Sequence, residues 1–144
     1  MNEETKELIK MNCKSFEFYK NEIEELEKQY FDSLDEANKE VDVVEALMEN
    51  GDSLHHRINF NKLKIAAEKG QKYLSASIKF EKEMKTMIDL SPNLMDEEIE
   101  YDGYHSKFLL VSDLTEELEQ TIRLQQGIRK TISTQLKMFG FFLQ

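Results

Sequence analysis

Between Phe16 and Met48, core-type side chains recur at helical spacing for about nine turns. No other feature limits so strongly what this chain can fold into. In order the residues are Phe16, Tyr19, Ile23, Leu26, Tyr30, Leu34, Ala37, Val41, Val44 and Met48. The steps between them alternate between three and four, with one extra four between Tyr30 and Leu34, which is a heptad ladder with a single phase break. Such a seam needs helical neighbours of comparable length.

The composition points the same way. A chain of 144 residues is long enough for one domain with its own core. One proline, five glycines, 40% apolar and 33% charged residues are the profile of long helices, not of a strand-and-turn fold. The lone Cys13 excludes an internal disulfide and any multi-cysteine metal site, so nothing requires an oxidising compartment. Residues Met1 to Lys10 lack the apolar run of a secretion signal and read as mature sequence. No run approaches the ~18 apolar residues of a membrane span. A cytoplasmic protein is expected.

The first helix is predicted over about residues 3–49, capped by Asn2, with Glu3, Glu4 and Glu7 favoured by the helix dipole, and closed by Asn50-Gly51. Ser33 and Glu36 have the spacing of a capping box and sit in the phase break, so a kink near Asp32-Ser33 is the alternative to a straight helix. The second helix is predicted over about 54–90, stopped by Ser91-Pro92. Its inward set reads Phe60, Leu63, Ala67, Gly70, Leu74, Ser77, Phe80, Met84 and Met87. An acidic connection, 91–105, follows, in which Pro92 is able to start a short helix with Leu94, Met95 and Ile99 on one face. The third helix is predicted over about 106–139, before an apolar tail at 140–144.

These elements make one all-α domain, an elongated up-down-up three-helix bundle of coiled-coil-like helices. The layout resembles spectrin-like three-helix bundles, a likeness of architecture that carries no function. The seam is equally able to close between two copies, as a homo-oligomer. Counted from the turns, Asp32, Ser33, Gly70 and Gly127 fall at one height, which predicts a packing waist, or else a hinge or docking groove.

Charge narrows the function. The net charge of −10 opposes direct binding to a phosphate backbone and favours a basic protein partner or plain solubility. The charge alternates, at −9, +3, −8 and +4 for residues 1–50, 51–90, 91–119 and 120–144, which suits helices of opposite sign packed side by side.

Catalytic chemistry finds little support. His55 and His56 diverge by ~100° on a helix and cannot face one metal from one side, and His105 stands apart. The acidic run around Asp96 to Asp102 lacks the alternating oxygen ligands and closing glutamate of a calcium loop. No phosphate loop, nucleophile elbow or paired-cysteine site occurs. Cys13 lies in an apolar helical pattern and reads as a buried structural thiol. The expectation is no enzyme, no cofactor and no metal.

Contact surfaces are the stronger signal. Phe139, Phe141, Phe142 and Leu143 are too apolar for a solvated chain end, and either cap the core or bind a partner. Glu97, Glu98, Glu100 and Asp102, with Tyr101 and Tyr104, form a candidate dock for a basic partner. Leu8, Ile9 and Met11 are expected under the connection around Leu94, Met95 and Ile99, with Phe18 and Phe31 as second-flank core or, as the alternative, an exposed interface. The function expected is a non-catalytic helical interaction protein, an adaptor, assembly chaperone or scaffold. The alternative is an acidic inhibitor that mimics nucleic-acid charge on a basic nucleic-acid-binding protein, for example a viral anti-defence protein.

Overall fold

Three long helices pack up-down-up in an all-α bundle, with one short β-ribbon before the third helix. The structure, a computed structural model, describes residues 3–49, 61–89, 98–100 and 108–143. Helix α1 spans Glu3–Glu49 and α2 spans Asn61–Asp89. Strands β1 (Glu98–Glu100) and β2 (Phe108–Leu110) lead into α3 at Val111–Leu143. None of the helices among the described residues is long and apolar enough to cross a membrane.

Helix α1 runs through Asp32-Ser33 without interruption, so the helix does not restart there. The capping box is not used: Ser33 Oγ donates to the Gln29 carbonyl oxygen one turn back, at 2.8 Å, and Asp32 pairs with Lys28 at 3.2 Å. The phase break itself dissolves. Ile9, Cys13, Phe16, Ile23, Tyr30, Leu34 and Ala37 are buried, with Lys20 and Glu27 half-buried between them. Together these nine residues step four, three, four, three without a fault. Tyr19 and Leu26, which the sequence places on the seam, are half-buried like Lys20 and Glu27, so at these two levels the seam is two residues wide. Lys20 is suited to this position because its stem covers apolar surface while its ammonium reaches Glu117 on α3 at 3.8 Å.

Helix α2 corrects its predicted stripe in the same way. The buried set is Leu63, Ala66, Gly70, Tyr73, Ser77, Phe80, Met84 and Met87, an unbroken heptad ladder in which Ala66 and Tyr73 replace the expected Ala67 and Leu74. Both choices are apolar at adjacent positions, and the ladder's rhythm selects between them. Helix α3 buries a wider stripe: Leu114, Thr115, Leu118, Thr121, Ile122, Gln125 and Ile132. Thr121 satisfies its hydroxyl by donating to the Glu117 carbonyl at 2.8 Å, which lets a polar side chain sit in the core.

The predicted onset of the third helix at residue 106 is replaced by β2 and a start at Val111. The ribbon is antiparallel with Glu98 opposite Leu110, Ile99 opposite Leu109 and Glu100 opposite Phe108. Ile99 therefore lies in a strand, not on the short helix that Pro92 was expected to start. The alternation Glu-Ile-Glu, the Phe-Leu-Leu run and an intervening Asp102-Gly103 pair are strand and hairpin signals that compete with the helical reading. At the other end, the predicted tail is helical through Leu143. Gly140 does not adopt the left-handed conformation of a helix-ending glycine.

The packing groups into two compact units. Unit 1 comprises Met1–Ile23 with Ala76–Ile128, and unit 2 comprises Glu24–Ser75 with Arg129–Gln144. Within unit 2 the helix directions are fixed by contacts. Lys62 meets Glu36 at 3.8 Å, which is the pairing of α1 acids with α2 bases that charge alternation predicts. A Cβ on Gly70 would stand within 3.1 Å of the Tyr30 ring and 2.8 Å of Leu136 Cδ2. Phe139 packs on Ala37, Leu63 and Ala66. Within unit 1, Gln126 Nε2 donates to Glu81 Oε1 at 2.6 Å, joining α3 to α2.

Candidate interaction surface

A helix in a bundle has a face turned away from its neighbours, and on α1 that face can be read residue by residue. The positions opposite the seam are 4, 8, 11, 15, 18, 22, 25, 29, 32, 36 and 39, a second ladder of threes and fours. In unit 1 it reads Glu4, Leu8, Met11, Ser15, Phe18 and Glu22, with three large apolar side chains flanked by acids. Leu8 is 42% exposed, Met11 63% and Phe18 64%. Leu94, Met95 and the side chain of Ile99, the cover expected over Leu8, Ile9 and Met11, lie outside the described residues; Ile9 is buried, and Phe18 is outward, not second-flank core.

The reason lies in the register. Ile9, Cys13 and Phe16 occupy the seam, and residues one or two positions away from a seam residue are turned by 100° or 200°, so Leu8, Met11 and Phe18 have no inward route while α1 stays straight. Phe18 makes an edge-to-face contact with Tyr19, ring centroids 5.6 Å apart. Tyr19 in turn lines a shallow cleft between α1 and α2 with Ile23, Ala76 and Phe80, walled by Glu22 and Lys79. The open apolar ladder thus has aromatic continuity with a notch in the same unit. A signal for it existed in the sequence: Leu8, Met11 and Phe18 share the three-four rhythm of the seam on the far side of the helix.

The other predicted positions are spread over both units. Asp32 is exposed and Ser33 half-buried in unit 2. Gly70, also in unit 2, lies against Tyr30 and Leu136. Gly127 belongs to unit 1, is exposed, and has open space where a Cβ would stand. Tyr30 anchors the spot beside Gly70: it is fully buried, its hydroxyl donates to Gln135 Oε1 at 2.7 Å, and burial pushes its pKa up to about 12.

Of the expected partner-binding residues, Phe139 is half-buried on the core of unit 2, whereas Met138 beside it is 56% exposed. The backbone of Phe141, Phe142 and Leu143 continues α3, and their side chains lie outside the described residues. Glu98 and Glu100 stand on β1. Glu97, Tyr101, Asp102 and Tyr104 lie outside the described residues, as do His55, His56 and His105.

Cys13 is buried, and desolvation, aided by the nearby carboxylates of Glu17 and Glu117, raises its pKa to about 12, so at neutral pH it is a protonated thiol. Among the described residues, no group of histidine, cysteine, aspartate and glutamate side chains is placed to hold a metal ion. Comparison with protein-family models, with curated proteins and with solved structures gives no match.

Proposed function

We propose that this chain is a non-catalytic helical interaction protein, an adaptor, assembly chaperone or scaffold, that engages its partner through the outer face of α1 in unit 1. The observation that carries this reading is the open ladder Leu8, Met11 and Phe18 on a helix whose own seam is already buried. Isolated exposed apolar residues are ordinary, but three on one helix face within three turns form a contact stripe. Covering them on a partner would contribute about 1–2 kcal/mol each, in proportion to the apolar area still open. Folding of the chain leaves that contribution unused.

The reading as an acidic mimic of nucleic acid ranks second. The outer face of α1 does carry Glu25, Asp32 and Glu36, but Asp32 is paired with Lys28, Glu36 is shared between Lys39 and Lys62, and Glu25 accepts from Gln29. Acids engaged in this way are weaker stand-ins for phosphates.

The test is co-purification from the cells that make the protein, using the intact chain and a Met11→Ser, Phe18→Ser double variant. The expected result is that the variant folds with unchanged helicity and melting temperature and loses its co-purifying protein. An unchanged set of bound proteins would refute the reading, and loss of binding in the presence of nucleic acid, with both chains alike, would move the mimic to first place.

A further inference from the structure

The two units differ in charge as well as in exposed apolar surface. Among the residues whose side chains are described, unit 1 contains twelve aspartates and glutamates against eight lysines and arginines, a net of −4, whereas unit 2 contains ten against nine, a net of −1. At least four of those eight bases are already engaged by acids of the same unit: Lys6 with Glu3, Lys10 with Glu7, Lys20 with Glu117 and Lys85 with Glu81. Among the described residues, five of the seven large apolar side chains found exposed belong to unit 1: Leu8, Met11, Phe18, Ile78 and Leu124. Among the described residues, acidic surplus and open apolar surface therefore occur together in unit 1.

We propose that unit 1 docks a basic amphipathic helix, with Leu8, Met11 and Phe18 as the apolar contact and the acidic surplus as the electrostatic guide; this rests on the reading of the chain as an interaction protein. The three contact residues span ten positions, about 15 Å of helix, which matches the i, i+3/i+4, i+7 anchors of an amphipathic partner. Charge selects among occupants. A second copy would bring one net-negative unit against another, and an anionic membrane surface would be repelled in the same way. A helix carrying lysine and arginine around an apolar stripe is the complement of both properties at once.

The experiment uses the full chain and three fluorescently labelled 18-residue peptides. One is amphipathic, with leucine on one face and lysine on the other; one has the same composition in scrambled order; one is amphipathic with glutamate in place of lysine. The amphipathic lysine peptide should bind, at least tenfold more tightly than the scrambled one, and should weaken as salt rises. Met11→Ser with Phe18→Ser leaves the charge unchanged and should cost at least tenfold, whereas Ile65→Ser in unit 2 should change binding less than twofold. Equal binding of the scrambled peptide, or an unaffected double variant, would overturn the proposal. Equal binding of the glutamate peptide, lost in the double variant, would overturn the basic partner while leaving the interaction reading intact. Retention of the chain on vesicles of anionic lipid would also overturn it.

Discussion

Along the outer face of α1, unit 1 presents Glu4, Leu8, Met11, Ser15, Phe18 and Glu22, with three large apolar side chains between two acids, while unit 2 presents Glu25, Gln29, Asp32, Glu36 and Lys39 at the equivalent helical positions. The inner face of the same helix keeps one rhythm throughout, from Ile9 to Ala37. Core packing therefore does not require the change outside. Unit 2 shows what the outer face looks like when it only has to stay in water: acids and lysines paired one turn apart, as Lys28 with Asp32 and Lys39 with Glu36. Leu8, Met11 and Phe18 of unit 1 depart from that pattern.

The interiors differ too. Unit 2 closes on Tyr30 and Tyr73, both fully buried, with Gly70 making room for the Tyr30 ring, whereas unit 1 uses Phe16, Ile23, Phe80 and the methionines Met84 and Met87. The largest expected effect follows from this. Tyr30→Ala should destabilise the chain by about 3–5 kcal/mol in a denaturant titration, since it opens a cavity and strands the Gln135 side chain. A loss below about 1 kcal/mol would show that unit 2 is not closed on this ring.

The two glycines sharpen the contrast with opposite signs. Gly70→Val should cost about 1–3 kcal/mol, because even a Cβ meets Leu136 and Tyr30. Gly127→Ala should instead add about 0.5–1 kcal/mol, since its Cβ direction is open and alanine is the better helix former. Thermal melts of both variants decide the point.

A pH titration separates the Tyr30 hydroxyl from the ring. Its pKa is raised from 10.0 to about 12, so the neutral form is favoured in the fold; the associated stability is fully present below pH 10 and is lost as pH rises through 12. Cys13 works in the same direction from 9.0 to about 12. Replacing Tyr30 by phenylalanine should flatten the fall between pH 10 and 12 by roughly 2 kcal/mol or less relative to the parent chain. An identical slope in both would dissociate Tyr30 from the effect.

The smallest effect on stability belongs to the most informative residue. Phe18→Ser should leave stability within about 0.5 kcal/mol, because the ring is mostly in water in the free chain. A larger loss would mean that the ring supports the fold and is not reserved for a partner.

Much of this architecture was legible in the sequence. Heptad steps identify three long helices and the side each turns inward, because burial on one face imposes a period that survives without any structure. Finer choices were not legible where two neighbours satisfy the same period. Ala67 looks as core-like as Ala66, and Leu74 as Tyr73, yet the buried ladder passes through Ala66 and Tyr73, and on α1 Lys20 and Glu27 are half-buried alongside Tyr19 and Leu26. Hydropathy ranks side chains by type, whereas position on a straight helix is set by geometry, and a long polar stem can lie along a seam with its end in contact with another helix. The β-ribbon escaped because three-residue strands are too short for period-2 alternation to outweigh helical propensity on either side. The open ladder was legible only in part: an exposed interface is the lesser alternative for Phe18, whereas Leu8 and Met11 are expected under a cover.

Two outward positions of α1 put the account to its most direct trial. Phe18 and Asp32 are fourteen residues apart, occupy the same place in the heptad, and lie in unit 1 and unit 2 respectively. A photo-reactive phenylalanine analogue is placed at each in turn and irradiated in the cells that make the protein. A discrete crosslinked adduct from position 18 and none from position 32 is the predicted result; an adduct from 32 with none from 18 would contradict it.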